Sequence, residues 1–204
     1  MKINLGCGST PLKDYTNVDM DTLEDLRVRY PNREFSDDIV IEQWDIFNLP
    51  VEVGSVDEVR ADCVFEHLNF KQEQLIFEES KRVLKTGGLL NISVPNFETL
   101  VKQWLEAEDD WKDWYRDDDQ AIDENHWFGT YEYSFSNRWG YSTACIFGSQ
   151  NGEGQYHKNC YTVGKLRKIF EHLGFEVVHE SSYDWPRGDA DIIKIIGKKY
   201  ELKR

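Results

Sequence analysis

The chain has 204 residues with 38 acids against 24 lysines and arginines, a net charge of −14, and 40% hydrophobic side chains. That composition suits one folded domain with a full core and excludes a disordered chain, while so acidic a surface repels phosphate backbones and counts against nucleic acid as a partner. Cys7, Cys63, Cys145 and Cys160 are scattered without metal-ligand spacing, no run is long enough to span a bilayer, and no signal-peptide stretch opens the chain, so reduced thiols, a cytoplasmic location and no membrane partner are expected.

In chain order, Ile3 and Leu5 open a short buried strand, and Gly6-Cys7-Gly8 turn directly after it. Asn17-Val18-Asp19 reads as a second strand ending on a carboxylate. A glycine turn after one strand and an acid at the tip of the next is how doubly wound sheets hold a nucleoside: the glycines admit the ligand and the acid accepts hydrogen bonds from ribose. "DTLEDLRVRYPN" predicts a short helix that Pro31 helps to stop. Ile39-Val40-Ile41 forms a third strand, followed by a loop headed by Asp45, and "SVDEVRADCV" a fourth strand ending near Ala61-Asp62. Helical spacing then runs through Leu68, Leu75, Ile76, Glu79 and Val83-Leu84, and Lys85-Thr86-Gly87-Gly88 reads as its C-terminus. "LLNISVP" is the next buried strand, ended by Pro95. Strands alternating with helices at this rhythm predict an α/β fold with a mostly parallel sheet.

Between Phe97 and about Cys160 the pattern breaks into a stretch dense in Trp, Tyr, Phe and acids, with ten acids against two bases from Glu106 to Glu124. It reads as an insertion or lid, about residues 97–160, on a single domain spanning 1–204. The acids most simply form a solvated face, and they do not match a metal site, so no metal is expected. The alternation returns with the helix "YTVGKLRKIFEHLGF", capped by Gly174, and with the strands "FEVVHE" and "ADIIKIIGKK" joined by a loop over Ser181–Asp189.

Five stretches, "NLGCGS", "NVDMD", "WDIFNLP", "VDEVRADCVFEHL" and "FEESKRVLKTGGLLNISVPN", occur in an order and spacing that resemble class I, Rossmann-like S-adenosylmethionine-dependent methyltransferases. The similarity is strongest to the type 11-like group, with its Glu-His-Leu after strand four and Leu-Lys-x-Gly-Gly before strand five. It covers roughly residues 1–100, and more weakly the tail from Tyr161. The resemblance implies a doubly wound, mostly parallel seven-stranded sheet with an antiparallel C-terminal hairpin, and S-adenosyl-L-methionine across its carboxyl edge. By that resemblance Gly6, Cys7 and Gly8 approach the methionine part, Asp19 binds the ribose, and Met20 lies beside the adenine. Asp45 and Ile46 also meet the adenine, and Ala61 and Asp62 line the methionine end. Two features depart from the pattern. Asn4 stands where the family has an acid, and only Ser9–Thr16 separate the turn from strand two, too few for the usual crossover helix. A more open cofactor pocket, closed by the aromatic insertion, is the expected consequence.

His67, just past strand four, is a candidate general base, with a hydrogen-bonded structural role as its alternative; Glu66 carries the same two readings. His157 is the second candidate base. Tyr156 and His126 are candidate acceptor contacts, and for His126 and His157 a plain surface position is the alternative. Aromatic faces next to acids suit a sugar ring or an organic cation, although core packing is their commoner fate. "ADCVFEHL" lacks the Asn/Asp-Pro-Pro-aromatic run of amino-methylating DNA enzymes. The expected activity is methyl transfer to an oxygen or nitrogen of a small, glycan-related or other, acceptor. A non-catalytic S-adenosylmethionine-binding sensor or partner subunit is the rival, and a nicotinamide oxidoreductase is disfavoured by the missing third glycine and helix.

Overall fold

The computed structural model describes residues 1–106, 146–148, 150, 152, 154–184 and 191–200. The strands are β1 (Lys2–Leu5), β2 (Thr16–Val18), β3 (Ile41–Glu42), β4 (Val56–Asp62), β5 (Leu84–Pro95), β6 (Phe175–Asp184) and β7 (Asp191–Lys199). They form one seven-stranded sheet in the order β3-β2-β1-β4-β5-β7-β6. Neighbours from β3 to β5 pair in parallel, and β7 runs antiparallel to both β5 and β6. The expected fold class is therefore the observed one. His126 and most of the aromatic insertion lie outside the described residues.

Burial explains the central strands. Ile3, Asn4 and Leu5 on β1, and Leu90 to Val94 on β5, are buried without alternation, the pattern of strands covered on both faces. The helices are α1 (Leu23–Arg29), α2 (Phe70–Val83), α3 (Phe97–Glu106) and α4 (Val163–Leu173). Ile76, Phe77 and Val83 of α2 and Leu166 and Phe170 of α4 supply apolar faces to the core. Asn69 starts α2 with a reciprocal capping box to Gln72, and Gly174 ends α4 in the left-handed region at φ 84°. Among the described residues no helix is long and apolar enough to cross a membrane.

Three boundaries differ from the sequence reading. Lys85-Thr86-Gly87-Gly88 does not cap α2: Leu84 is already extended and pairs with Val56, and the ladder resumes only at Glu58 with Leu89. Val83 and Leu84 are both fully buried, so the core draws the chain straight from helix into sheet and leaves the glycines as slack within β5. The loop expected from Ser181 begins later, because Ser181 to Asp184 continue β6 against the stretch from Asp191 to Lys194 on β7, where Ile192 and Ile193 are buried. The third strand lies further on, at Ile41–Glu42, where Glu42 O accepts the Asp19 N–H at 3.1 Å.

Neither the crossover from β1 to β2 nor that from β3 to β4 contains a helix. In the first, the buried Asn4 donates through Nδ2 to Asn17 Oδ1 at 3.1 Å and to Thr10 O at 3.2 Å. Asn17 in turn accepts from Leu12 N at 2.8 Å and donates to Leu12 O at 3.0 Å. In the second, Glu79 of α2 accepts from Leu49 N at 2.6 Å, and Arg82 donates to Leu49 O at 2.9 Å and Val51 O at 3.1 Å. Side chains thus satisfy backbone groups that a crossover helix would have paired internally.

Candidate active site

The carboxyl ends of β1 and β2 are joined by the glycine turn. Gly6 has φ 56°, and a Cβ there would lie 2.6 Å from Val64 Cγ2, so the position admits only glycine. Cys7 N donates to Val18 O at 3.1 Å, and Gly8 N donates to Asp19 Oδ2 at 2.8 Å, which clamps the turn onto the tip of β2. The other carboxylate oxygen of Asp19 accepts from Asp21 N at 3.0 Å. Each oxygen of this buried side chain is therefore oriented by one backbone donor. Asp19 is not the cap of the helix that follows: Thr22 caps α1, in a capping box with Asp25. Burial, reinforced by the Asp19 carboxylate, pushes the Cys7 thiol up to about 12, so Cys7 is a neutral packing side chain rather than a nucleophile.

The remaining expected nucleoside residues lie at the same edge. Met20 is 61% exposed at the tip of β2, and its carbonyl accepts from Gln43 Nε2 at 3.1 Å. Asp45 is exposed and accepts from Phe47 N at 2.9 Å, closing a turn on which Ile46 packs against the core. Ala61 is fully buried between Leu5 and Ile92. Asp62 is held by Arg60, whose Nε donates to Oδ2 at 2.7 Å, while the buried Oδ1 has no hydrogen-bond partner. The amide nitrogen of Asn4 is engaged by Thr10 and Asn17.

Beyond β4 the chain reverses at Cys63, at φ 53°, and enters a 3-10 turn over Phe65–His67. The segment returning from the insertion docks on that turn. Glu66 O accepts from Lys158 N at 2.7 Å and Asn159 N at 3.1 Å. His67 Nδ1 lies 3.2 Å from Tyr156 O, a contact that protonates Nδ1 and leaves the lone pair on Nε2. The rings of His67 and His157 meet edge to face with centroids 4.8 Å apart. A Cβ on Gly154 would be 2.9 Å from Met20 Sδ, so the segment reaches from the tip of β2 to the end of β4. Tyr161 anchors its far end: Tyr161 O accepts from Phe97 N at 2.9 Å, and Tyr161 Oη donates to Glu73 Oε1 at 2.6 Å.

The two candidate bases, His67 and His157, are thus brought together, and Tyr156 contributes its carbonyl while its side chain is 46% exposed. Burial lowers the His67 pKa, only partly offset by the Tyr156 carbonyl, and Lys158 lowers it further. Glu66, for which the sequence alone leaves two readings open, is 2% exposed; its Oε2 has no hydrogen-bond partner, and burial pushes its carboxyl up to about 8. The signal is present in Glu-His-Leu, but only the fold reveals the burial. His126 lies outside the described residues.

Residues 4–92 match a family described as a methyltransferase domain. A 70-residue segment is 34% identical to an uncharacterized 37.1 kDa protein in transposon Tn4556 of Streptomyces fradiae; it makes up 34% of this chain and spans only 20% of that protein. The fold superimposes on an S-adenosylmethionine-dependent methyltransferase of Methanosarcina mazei with a TM-score of 0.60 at 15% identity, covering 98% of this chain and 92% of the other. It also superimposes on the Burkholderia thailandensis 1,6-didemethyltoxoflavin-N1-methyltransferase, solved with 1,6-didemethyltoxoflavin and S-adenosylhomocysteine bound, with a TM-score of 0.55 at 9% identity, covering 98% and 71%. Likeness at such identities speaks for the fold alone, which is that of class I, Rossmann-like methyltransferases, and the stretch matched by the methyltransferase-domain family is the half of the sheet that carries the glycine turn and Asp19.

Proposed function

We propose that this protein transfers a methyl group from S-adenosylmethionine to an oxygen or nitrogen of a small-molecule acceptor. The observation that carries the reading is the Gly8 N–H to Asp19 Oδ2 clamp, which fixes the glycine turn beside an oriented carboxylate at the carboxyl edge. These residues fit the cofactor. Asp19 would hold the ribose hydroxyls, the backbone of Gly6 to Gly8 would admit the amino-acid part, and Met20, Asp45 and Ile46 would flank the adenine. Ala61 and Asp62 would border the methionine end. S-adenosylmethionine supplies a methyl group made electrophilic by its sulfonium.

The chain's own work is then to orient an acceptor, exclude water and take a proton where one must leave. His67 suits the proton transfer, because its lowered pKa keeps it neutral near pH 7 and the lone pair on Nε2 is the one not facing Tyr156. His157 is the competing base. Tyr156, and His126 in the insertion, are proposed acceptor contacts. The acidic surface supports a small molecule over nucleic acid, and the small-molecule substrate of the Burkholderia enzyme supports the same class. We further propose a single cytoplasmic domain with the insertion acting as its lid.

One observation favours a second reading, a binding module without turnover: Asn4, at the family's acidic position, has its amide nitrogen engaged within the crossover. Calorimetric titration with S-adenosylhomocysteine, followed by assay of S-adenosylhomocysteine release against hydroxyl and amine acceptors, tests both. Binding with turnover is expected. Binding without turnover on any acceptor favours the module, and absence of binding removes both readings.

A further inference from the structure

We propose that Glu66, His67 and His157 form a binding site for a divalent transition-metal ion of the zinc class. Sequence spacing counts against a metal, but His67 and His157 meet only through the fold. One potential ligand atom from each of the three residues lies within 4.8 Å of the other two. Two imidazoles and one carboxylate are one of the donor sets of catalytic zinc sites, in which bonds of about 2.0–2.2 Å leave a further position open to water or substrate.

Two further observations point to a ligand. Glu66 is 2% exposed and its Oε2 has no hydrogen-bond partner, while a carboxylate oxygen of the same side chain stands within 4.8 Å of both histidines, where a cation would supply the missing partner. The Nδ1–H of His67 is directed at Tyr156 O at 3.2 Å, the outer contact that orients metal-binding imidazoles and keeps the other nitrogen available. The site is also held before any ion arrives, because Glu66 O accepts the N–H groups of Lys158 and Asn159 and so ties the His157 segment to the Glu66 turn. The other titratable neighbours are Cys63 and Asp62 beside Glu66, and Lys158 near His67. Lys158 is exposed, and its ammonium can swing to solvent as the ion enters.

The consequence for substrate choice rests on the methyl-transfer reading. An ion here would take up the His67 lone pair and replace that residue as the means of activating the acceptor, favouring acceptors that bind through a hydroxyl oxygen, whose proton would leave to solvent on coordination.

The test titrates chelator-stripped protein with Zn2+ by calorimetry and with Co2+ by visible absorption, and measures S-adenosylhomocysteine binding on the same samples. One saturable equivalent of Zn2+ is expected, with a Co2+ band reporting nitrogen and oxygen ligands. Glu66→Gln and His157→Ala should each weaken Zn2+ binding by at least ~10-fold, whereas His172→Ala with His179→Ala, exposed imidazoles elsewhere, should leave it unchanged. His157 lies on the returning segment, so its variant keeps the test decisive if the buried Glu66→Gln fails to fold. Retained S-adenosylhomocysteine binding by His157→Ala, with Zn2+ binding lost, supports the site. No saturable Zn2+ binding, or equal affinity in wild type and His157→Ala, overturns it. Zn2+ binding by a protein that does not bind S-adenosylhomocysteine would leave the metal site standing and remove the methyl-transfer reading.

Discussion

The two crossovers without helices, residues 6–15 and 43–55, solve one problem in two ways. Both leave backbone groups with no helical partner, and both carry candidate cofactor contacts, the glycine turn in one and Asp45-Ile46 in the other. The first is braced from its own flanking strands by a neutral pair, Asn4 and Asn17, close in sequence and buried. The second is braced from outside by a charged pair, Glu79 and Arg82, reaching across from α2. A crossover too short for a helix needs substitute hydrogen-bond partners, and their chemistry decides what disturbs the loop. Amides make the Asn4–Asn17 brace indifferent to pH, whereas a carboxylate and a guanidinium make the Glu79–Arg82 brace responsive to it.

The strongest way to break the first loop is to fill it. Gly6→Val combines φ 56° with a Cβ 2.6 Å from Val64 Cγ2. Overpacking and left-handed strain together are expected to cost about 3 kcal/mol or more, a fall in Tm of roughly 6–12 °C for a chain of this size. Thermal unfolding measures it, and a change within about 2 °C would mean that the turn yields to a side chain. Asn17→Ala comes next. It removes the acceptor for Asn4 Nδ2 and Leu12 N and the donor for Leu12 O, for an expected loss of about 2–3 kcal/mol in chemical denaturation. Combined with Asn4→Ala, the losses should fall short of additivity by more than about 0.5 kcal/mol. Strict additivity would show that the two amides do not act as one brace.

Asp19→Ala tests the ligand side of the same loop. It frees Gly8 N and removes the proposed ribose acceptor, so S-adenosylhomocysteine affinity should fall by about 1–3 kcal/mol in calorimetry while the fold persists. Unchanged affinity in a folded variant would detach Asp19 from the nucleoside.

The same contrast governs what is legible in the sequence. The glycine turn and the acid at the tip of β2 can be read because the whole unit is short, and local spacing encodes its geometry. The alternation of elements follows from periodicity, and the missing first helix from a simple lack of residues. The end of α2 is not legible, because the local signal, a basic turn before Gly87-Gly88, is overruled by burial of Val83 and Leu84, a tertiary fact. Glu79 looks like one more residue on a helical face, and nothing nearby announces that its carboxylate braces Leu49. Glu66, His67 and His157 are visible singly but not as a group. Their meeting depends on where the chain returns after the insertion, and no local pattern records that.

Glu79 also gives the smallest and most discriminating effect. Burial alone would raise its pKa, but the Arg82 guanidinium and the Leu49 N–H outweigh burial and hold it below the ordinary glutamate value of 4.5. The fold therefore favours the ionised form, and the unfolded chain takes up protons first as pH falls. The resulting stability is fully present above about pH 4.5 and is lost as pH drops through the folded pKa. Glu79→Gln, which keeps an acceptor for Leu49 N but no charge for Arg82, should cost about 1–2 kcal/mol at neutral pH. Its deficit should shrink as pH falls below about 4.5, where wild type loses the same contribution. The deficit of Asn17→Ala should stay constant over that range, because neither amide titrates. Urea unfolding of wild type and both variants between neutral and acidic pH reads the difference directly. Parallel curves for all three would mean that the second crossover does not depend on the Glu79 charge, and the two loops would then differ only in which residues brace them.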